Sequence, residues 1–178
     1  MSTKTFTGAG KISSTDYKYV KVVGKTRSGS TVIIELPRAL CTSNLDWNFQ
    51  EKNEVVAQVV FEGVYNDATL ATGDRTEPWK LTCDDNLTGN GQIITGAAIV
   101  YLGSSETDAK VVGLSRGGAQ FVVERNIRPI NADDDPGYVE DRVDYEEAKP
   151  KLTLNLLQWL GKVDKIYAGI KVAAATEG

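Results

Sequence analysis

Apolar and polar residues alternate with a period of two along most of this chain, the pattern of half-buried β-strands. Tyr17, Tyr19, Lys21 and Val23 alternate with Lys18, Val20 and Val22. Arg27-Ser28-Gly29-Ser30 then supplies turn chemistry before Thr31-Val32-Ile33-Ile34-Glu35-Leu36, and the two runs predict a β-hairpin. A long strand is predicted from Glu54 to Tyr65, with Val55, Ala57, Val59, Phe61 and Tyr65 on one face and Val56, Val60 and Val64 on the other. Apolar residues on both faces predict that both are covered, by a second sheet, a helix or another subunit.

Asn66 to Glu77 reads as a polar loop and Trp79 to Cys83 as a short strand. Asp84 to Gln92 is small, polar and glycine-containing, the composition of a linker. Strands are predicted at Ile93 to Leu102 and at Ala109 to Leu114, the latter pairing with Gly118 to Asn126. Gly117-Gly118 between those two runs marks a bulge or a tight strand corner. Pro129 and Pro136 end regular structure, leaving Arg125 to Lys149 as a loop that is long for the inside of a domain. Lys149 to Asn155 alternates again. Leu156, Leu157, Leu160, Val163, Ile166, Tyr167 and Ile170 then follow helical spacing, with Asn155 as a cap and Gly169 as a stop. Gly161 inside that helix costs about 1 kcal/mol against alanine, which a close contact with the sheet would explain. The fold class is therefore mainly β, a sandwich or barrel of about eight strands with one α-helix packed across it, in one domain spanning residues 1–178.

Composition narrows the function more than the fold. At 178 residues, 41% hydrophobic and 25% charged, the chain has the make-up of an ordinary globule. No apolar run has the roughly 20 residues of a membrane helix, and Met1-Ser2-Thr3-Lys4-Thr5 lacks the apolar core of a signal peptide. The expectation is a protein made and used without membrane insertion. Histidine is absent, which removes the commonest general base near neutral pH, the usual zinc ligand and any triad of the familiar kind. Cys41 and Cys83 read as two small buried thiols rather than a disulfide framework. Net charge is −4 but unevenly spread. Residues 133–147 hold eight carboxylates against Arg142 alone, about −7, so the remainder is about +3.

Several constellations invite chemistry and yield to plainer readings. Asp133, Asp134, Asp135, Glu140 and Asp141 offer oxygen ligands for Ca²⁺, but their spacing is not that of an EF-hand. Adjacent pairs such as Asp84-Asp85 and Glu146-Glu147 point to opposite faces of a strand, which spoils an acid–base dyad. Gly113, Gly117 and Gly118 precede no helix that could hold a phosphate. Trp47, with Phe49, and Trp79 and Trp159 are candidates for stacking on a sugar or anchoring an interface. Lys18, Lys21, Lys25 and Arg27 are the nearest approach to a nucleic-acid stripe, and a solvated strand face explains them equally well. No catalytic residue, cofactor or metal ligand is assigned.

In two pieces, the chain resembles the tail tube (major tail) proteins of tailed bacteriophages. Residues from about Gly96 to Ile170 are similar to the first half of such a protein. That half carries the Gly117-Gly118 corner, an acidic loop with Asp133-Asp134-Asp135-Pro136-Gly137 and Arg142, and a strand leading into a helix. Residues from about Tyr17 to Leu81 are similar to the second half, through the hairpin, Val60-Phe61-Glu62-Gly63-Val64-Tyr65-Asn66-Asp67 and Pro78-Trp79-Lys80-Leu81. The order is swapped, so the chain looks circularly permuted, with 17–83 as the second half, 84–92 joining the old ends and 93–172 as the first half. Permutation is tolerated where original termini lie close together.

The resemblance implies no enzyme but a self-assembling virion tail protein, built in the host cytoplasm into six-fold rings stacked as a tube. Its partners would be copies of itself, other phage tail proteins, and double-stranded DNA that passes without tight binding. Asp133, Asp134, Asp135, Tyr138, Asp141 and Arg142 would lie on the loop that reaches the adjacent ring. An acidic or neutral bore with few basic side chains is expected, since phosphate neutralisation by lysine or arginine would retard DNA. The competing expectation is a monomeric β-sandwich that binds a ligand such as carbohydrate through exposed tryptophans. A hydrolase using carboxylates alone has the least support.

Overall fold

The computed structural model describes residues 4–46, 55–72, 76–84, 94–130, 143–157 and 159–173. Nine strands lie among them: β1 (Phe6–Gly8), β2 (Lys18–Thr26), β3 (Thr31–Cys41), β4 (Ala57–Gly63), β5 (Lys80–Thr82), β6 (Ile94–Gly103), β7 (Lys110–Pro129), β8 (Val143–Leu156) and β9 (Ile170–Val172). Two short helices, α1 (Asp67–Leu70) and α2 (Val163–Ile166), complete the inventory with 3₁₀ turns at Ser14–Asp16 and Leu160–Lys162. The fold is mainly β.

Strand pairing is antiparallel throughout and runs β2-β6-β7-β8-β4-β3, with β3 returning to β2. That circuit closes a barrel, which removes the open edges a flat sheet would carry. β5 lies outside the circuit, against Ile33–Glu35 of β3. β1 pairs with β9, so the two ends of the described chain lie side by side.

Alternation determines which side chains fill the barrel. Val20, Leu36, Val59, Phe61, Val100, Leu152, Leu154 and Leu156 are fully buried, each on the inward parity of its strand. The predicted hairpin forms in the register Val20↔Leu36 to Lys25↔Thr31, and Gly29 takes φ +90° in its turn, a conformation glycine adopts without strain. β3 continues past the predicted end at Leu36. Pro37 falls where β2 and β3 slip register between Lys18 and Val20, a place where a missing N–H costs no ladder bond.

Several expectations need correction. β4 is shorter than Glu54–Tyr65, and only its Ala57, Val59 and Phe61 face is buried; Val60 and Val64 are half-buried and Val56 is 37% exposed. A barrel wall has one inside, so the outer face stays open in a single chain. The long helix is replaced by a 3₁₀ turn and one turn of α-helix. Leu152 to Leu156 remain strand because β4 and β7 bond them from both sides, and Asn155, paired with Gln58, cannot cap a helix. Gly161 sits in the exposed 3₁₀ turn with no atom near a would-be Cβ, so no close sheet contact explains it. Cys41 is buried as expected, but Cys83 is exposed; both are free.

β7 corrects the expected pairing of Ala109–Leu114 with Gly118–Asn126. It is one strand that changes partner, bonding β6 through Lys110–Leu114 and β8 from Ser115 onward. Ser115 faces Leu156 and Ala119 faces Leu154, so two extra residues are accommodated at Arg116-Gly117-Gly118. Gly118, at φ +98°, makes that bulge, in keeping with one of the two readings of the glycine pair. Trp159, Val163, Ile166 and Tyr167 join the core cluster, packing at the barrel end where β3 and β8 finish and β4 and β7 begin.

One-sided burial of β4 has a direct test by chemical denaturation of dilute protein. Phe61→Ala should cost about 3–5 kcal/mol through transfer and cavity terms, whereas Gln58→Ala, on the exposed outer face, should stay within about 0.5 kcal/mol. A comparable loss at both positions would show that the outer face is covered within one chain.

Candidate functional site

The feature that stands apart from the closed barrel is an arm made by the outer parts of β7 and β8. β4 covers β8 only from Lys151 to Leu156, and β6 covers β7 only as far as Leu114. Residues 123–129 and 143–150 therefore pair with each other, and neither has a second strand neighbour among the described residues. Among the described residues the backbone N–H of Ala148 has a lateral partner, donating to the Tyr65 hydroxyl at 3.4 Å. Such a two-stranded ribbon with open edges is a template for pairing with another chain.

Its two faces differ sharply. On one, Val122, Glu124, Asn126 and Arg128 oppose Lys151, Lys149, Glu147 and Asp144. Arg128 reaches Asp144 at 3.2 Å and Glu146 at 3.3 Å, and Lys149 reaches Glu147 at 2.8 Å. Pairs this exposed contribute about 0–1 kcal/mol each, so they define a solvated face rather than hold the ribbon together. The other face carries the barrel's inward parity outward through Phe121↔Leu152, Val123↔Pro150, Arg125↔Ala148 and Ile127↔Tyr145, with the Arg125 guanidinium drawn onto Trp79 and Glu77. A bulge between Asn126 and Ile127 passes over Glu146 and brings Tyr145 opposite Ile127. Without that extra residue Glu146 would stand opposite Ile127 in place of Tyr145. This face ends in the open, with Ile127 52% and Tyr145 42% exposed.

Glu77 anchors the root of the arm. It accepts a hydrogen bond from Trp79 Nε1 and pairs with Arg125 at 3.8 Å. Arg125 lies 5.9 Å from the centre of the Trp79 ring, and Trp79 packs on Phe121 at 5.8 Å. Desolvation, with the hydrogen bond and the charge of Glu77, pushes the Tyr145 hydroxyl up to about 12. Gly63 is required beside this root, since a Cβ there would meet Pro150 Cγ at 2.6 Å and the Pro78 carbonyl at 2.9 Å.

A cleft of about 510 Å³ adjoins the root, lined in part by Tyr19, Glu35, Arg38, Tyr65, Glu77 and Lys80. Glu35 is buried, accepts a hydrogen bond from Tyr19, and faces Lys21 at 3.5 Å and Lys80 at 3.6 Å. Burial works to raise its carboxyl, but the Tyr19 hydroxyl and the two ammonium groups outweigh this and hold it below the usual range. Burial and the neighbouring Glu35 raise Tyr19. Both shifts move away from neutrality, opposite to the tuning an acid–base pair needs. The cluster ties β2, β3 and β5 together.

The residues singled out in the sequence are not brought to one place. Gly117 and Gly118 lie in the β7 bulge, while Asp133, Asp134, Asp135, Tyr138, Asp141 and Arg142 fall outside the described residues, as do Trp47 and Phe49. Trp159 is 3% exposed and Trp79 is occupied by Phe121, Glu77 and Arg125, so neither presents an open stacking platform. No group of three His, Cys, Asp or Glu able to hold a metal occurs among the described residues, and no helix there is long and apolar enough to cross a membrane. The sequence reading missed the arm and the Glu77 anchor. Alternation at Phe121, Val123 and Ile127 was the available signal, hidden by the assignment of Arg125 to Lys149 to a loop. Comparison of the chain with family models, with curated proteins and with solved structures finds no match.

Glu35 gives a pH-dependent test. Because its folded value lies below the ordinary 4.5, its contribution is complete above that pH and disappears as pH falls through the folded value. Glu35→Gln should lower stability at neutral pH by about 1.5–3 kcal/mol and flatten the acid limb of a melting-temperature profile. An unchanged acid limb would show that the cluster carries no such linkage.

Proposed function

We propose that this chain is a structural subunit that self-assembles into rings, six copies each, stacked as a tube of the phage-tail kind that conducts double-stranded DNA. The observation that carries the reading is the arm, with two edges that have no strand partner among the described residues and the exposed side chains of Ile127 and Tyr145 towards its tip. A monomer gains nothing from exposing such a ribbon, whereas a copy that adds its strands or covers those side chains satisfies both needs at once. Assembly takes place in the host cytoplasm, with other phage tail proteins as further partners and the virion tail as destination. The half-exposed outer face of β4 belongs to the same surface economy.

Two placements support a circular permutation. β1 and β9 lie together, so opening the chain there separates ends that remain neighbours. Thr82 faces Ile33 and Ile94 faces Thr26, both at the turn end of the β2–β3 hairpin, where a joining segment such as 84–92 has a short span to cover. The carbohydrate-binding alternative has weaker support, because the two described tryptophans are buried or engaged.

Electron microscopy of purified protein should show rings or filaments. Ile127→Asp should leave dispersed monomers whose stability changes by no more than about 0.5 kcal/mol, as expected of an exposed position. Full assembly by this variant, or monomers of the unaltered protein at every concentration, would overturn the proposal. Within the tube few basic side chains should face the bore; a lumen lined by lysines would contradict DNA conduction.

A further inference from the structure

Lysines from distant parts of the chain meet beside the turn that joins β6 to β7. Lys18 from β2, Lys110 from β7, Lys162 from the 3₁₀ turn and Lys165 from α2 line one cleft of about 370 Å³. Two of them are held by carbonyls: Lys162 Nζ donates to Val112 at 2.6 Å and Val111 at 3.1 Å, and Lys18 Nζ to Thr15. None of the four ammonium groups forms an ion pair among the described residues. Even Lys162 keeps a donor to spare.

The one carboxylate in the lining is already engaged. Asp108 accepts from the backbone N–H groups of Ser105 at 2.6 Å and Ser104 at 3.1 Å, and from both serine hydroxyls, so each of its oxygens is occupied by the turn itself. The lysines are left with one another. Like charges gathered in a concave site repel, and an anion placed among them relieves that repulsion. The chain as a whole carries a net charge of −4 and does not attract anions. What the cleft offers is therefore local.

The chemistry of the lining narrows the ligand. Lysine presents a point charge suited to a tetrahedral oxyanion, whereas the planar fork of arginine, which grips a carboxylate from two sides, is missing from the cleft. Ammonium groups contributed by four separate positions call for anionic oxygens spread over adjacent groups, more than a lone phosphate supplies. No aromatic side chain lines the cleft, so nothing there stacks on a base or a sugar. Its volume lies at the small end of the roughly 300–1,000 Å³ typical of small-ligand sites.

We infer that Lys18, Lys110, Lys162 and Lys165 bind a compact anion with two or more adjacent phosphate groups. Lys162 and Lys165 belong to the segment whose Trp159, Val163 and Ile166 pack into the barrel end, while Lys18 and Lys110 belong to the wall. The bound anion thus ties that segment to the wall. The site uses no residue of the arm and stands whether or not copies of the chain assemble.

Calorimetric titration with sodium tripolyphosphate tests the inference. The unaltered protein should bind it at least roughly tenfold more tightly than inorganic phosphate, and ATP should bind no more tightly than tripolyphosphate. Lys110→Gln with Lys165→Gln removes two exposed lysines of the cleft and should weaken tripolyphosphate binding at least roughly tenfold, the loss expected of two charge-assisted contacts. Lys25→Gln with Lys151→Gln, which removes two exposed lysines elsewhere, should change it less than about twofold. In the unaltered protein, tripolyphosphate should also slow amide exchange across Val163–Ile166. Equal affinity for phosphate and tripolyphosphate, equal loss in the two double variants, or unchanged exchange in that segment would overturn the inference. Tighter binding of ATP would overturn it in favour of a nucleotide site. A DNA duplex held by the same lysines and not displaced by tripolyphosphate would overturn it in favour of nucleic acid.

Discussion

Backbone hydrogen bonding sets the terms for this molecule. Six strands meet their obligations by closing a barrel, and a seventh fills in beside β3. β7 and β8 are longer than the barrel wall, so their outer parts have only each other. Apart from the Ala148 N–H, which donates to the Tyr65 hydroxyl, the outward backbone groups of that ribbon have no strand partner among the described residues and must find water or another strand. The same excess length carries Ile127 and Tyr145 out of the core and leaves them exposed. The barrel is therefore self-sufficient and the arm is not, and the proposed function follows from that difference.

Local irregularities make the arrangement possible. The Gly118 bulge lets one strand leave β6 and take up β8 without breaking. The bulge that passes over Glu146 keeps Tyr145 in line with Ile127. Pro37 falls where β2 and β3 slip register. Each irregularity redirects side chains at a cost of one or two ladder bonds. Glu35 and Glu77 then tie the neighbouring elements together, the first across β2, β3 and β5 and the second at the arm's root.

Much of the barrel was legible in the sequence because a period of two is a strong local signal. The hairpin of β2 and β3, the inward face of β4 and the alternation entering β8 were all visible. What failed was information about partners. The apolar spacing after Leu154 fits a helix and a strand equally until β4 and β7 bond Leu156, which no local pattern reveals. The arm was hidden differently: Pro129, Pro136 and the dense carboxylates argued for a loop, yet strand persists to Pro129 and resumes at Val143.

The central claim is that copies of the chain complete the hydrogen bonding of the arm. Amide hydrogen exchange measured as a function of protein concentration addresses it directly. Residues 123–129 and 143–150 should exchange quickly in dilute protein and slow progressively as concentration rises, while β2 and β6 stay protected throughout. Arm protection already complete at the lowest concentration, or never increasing, would contradict the account.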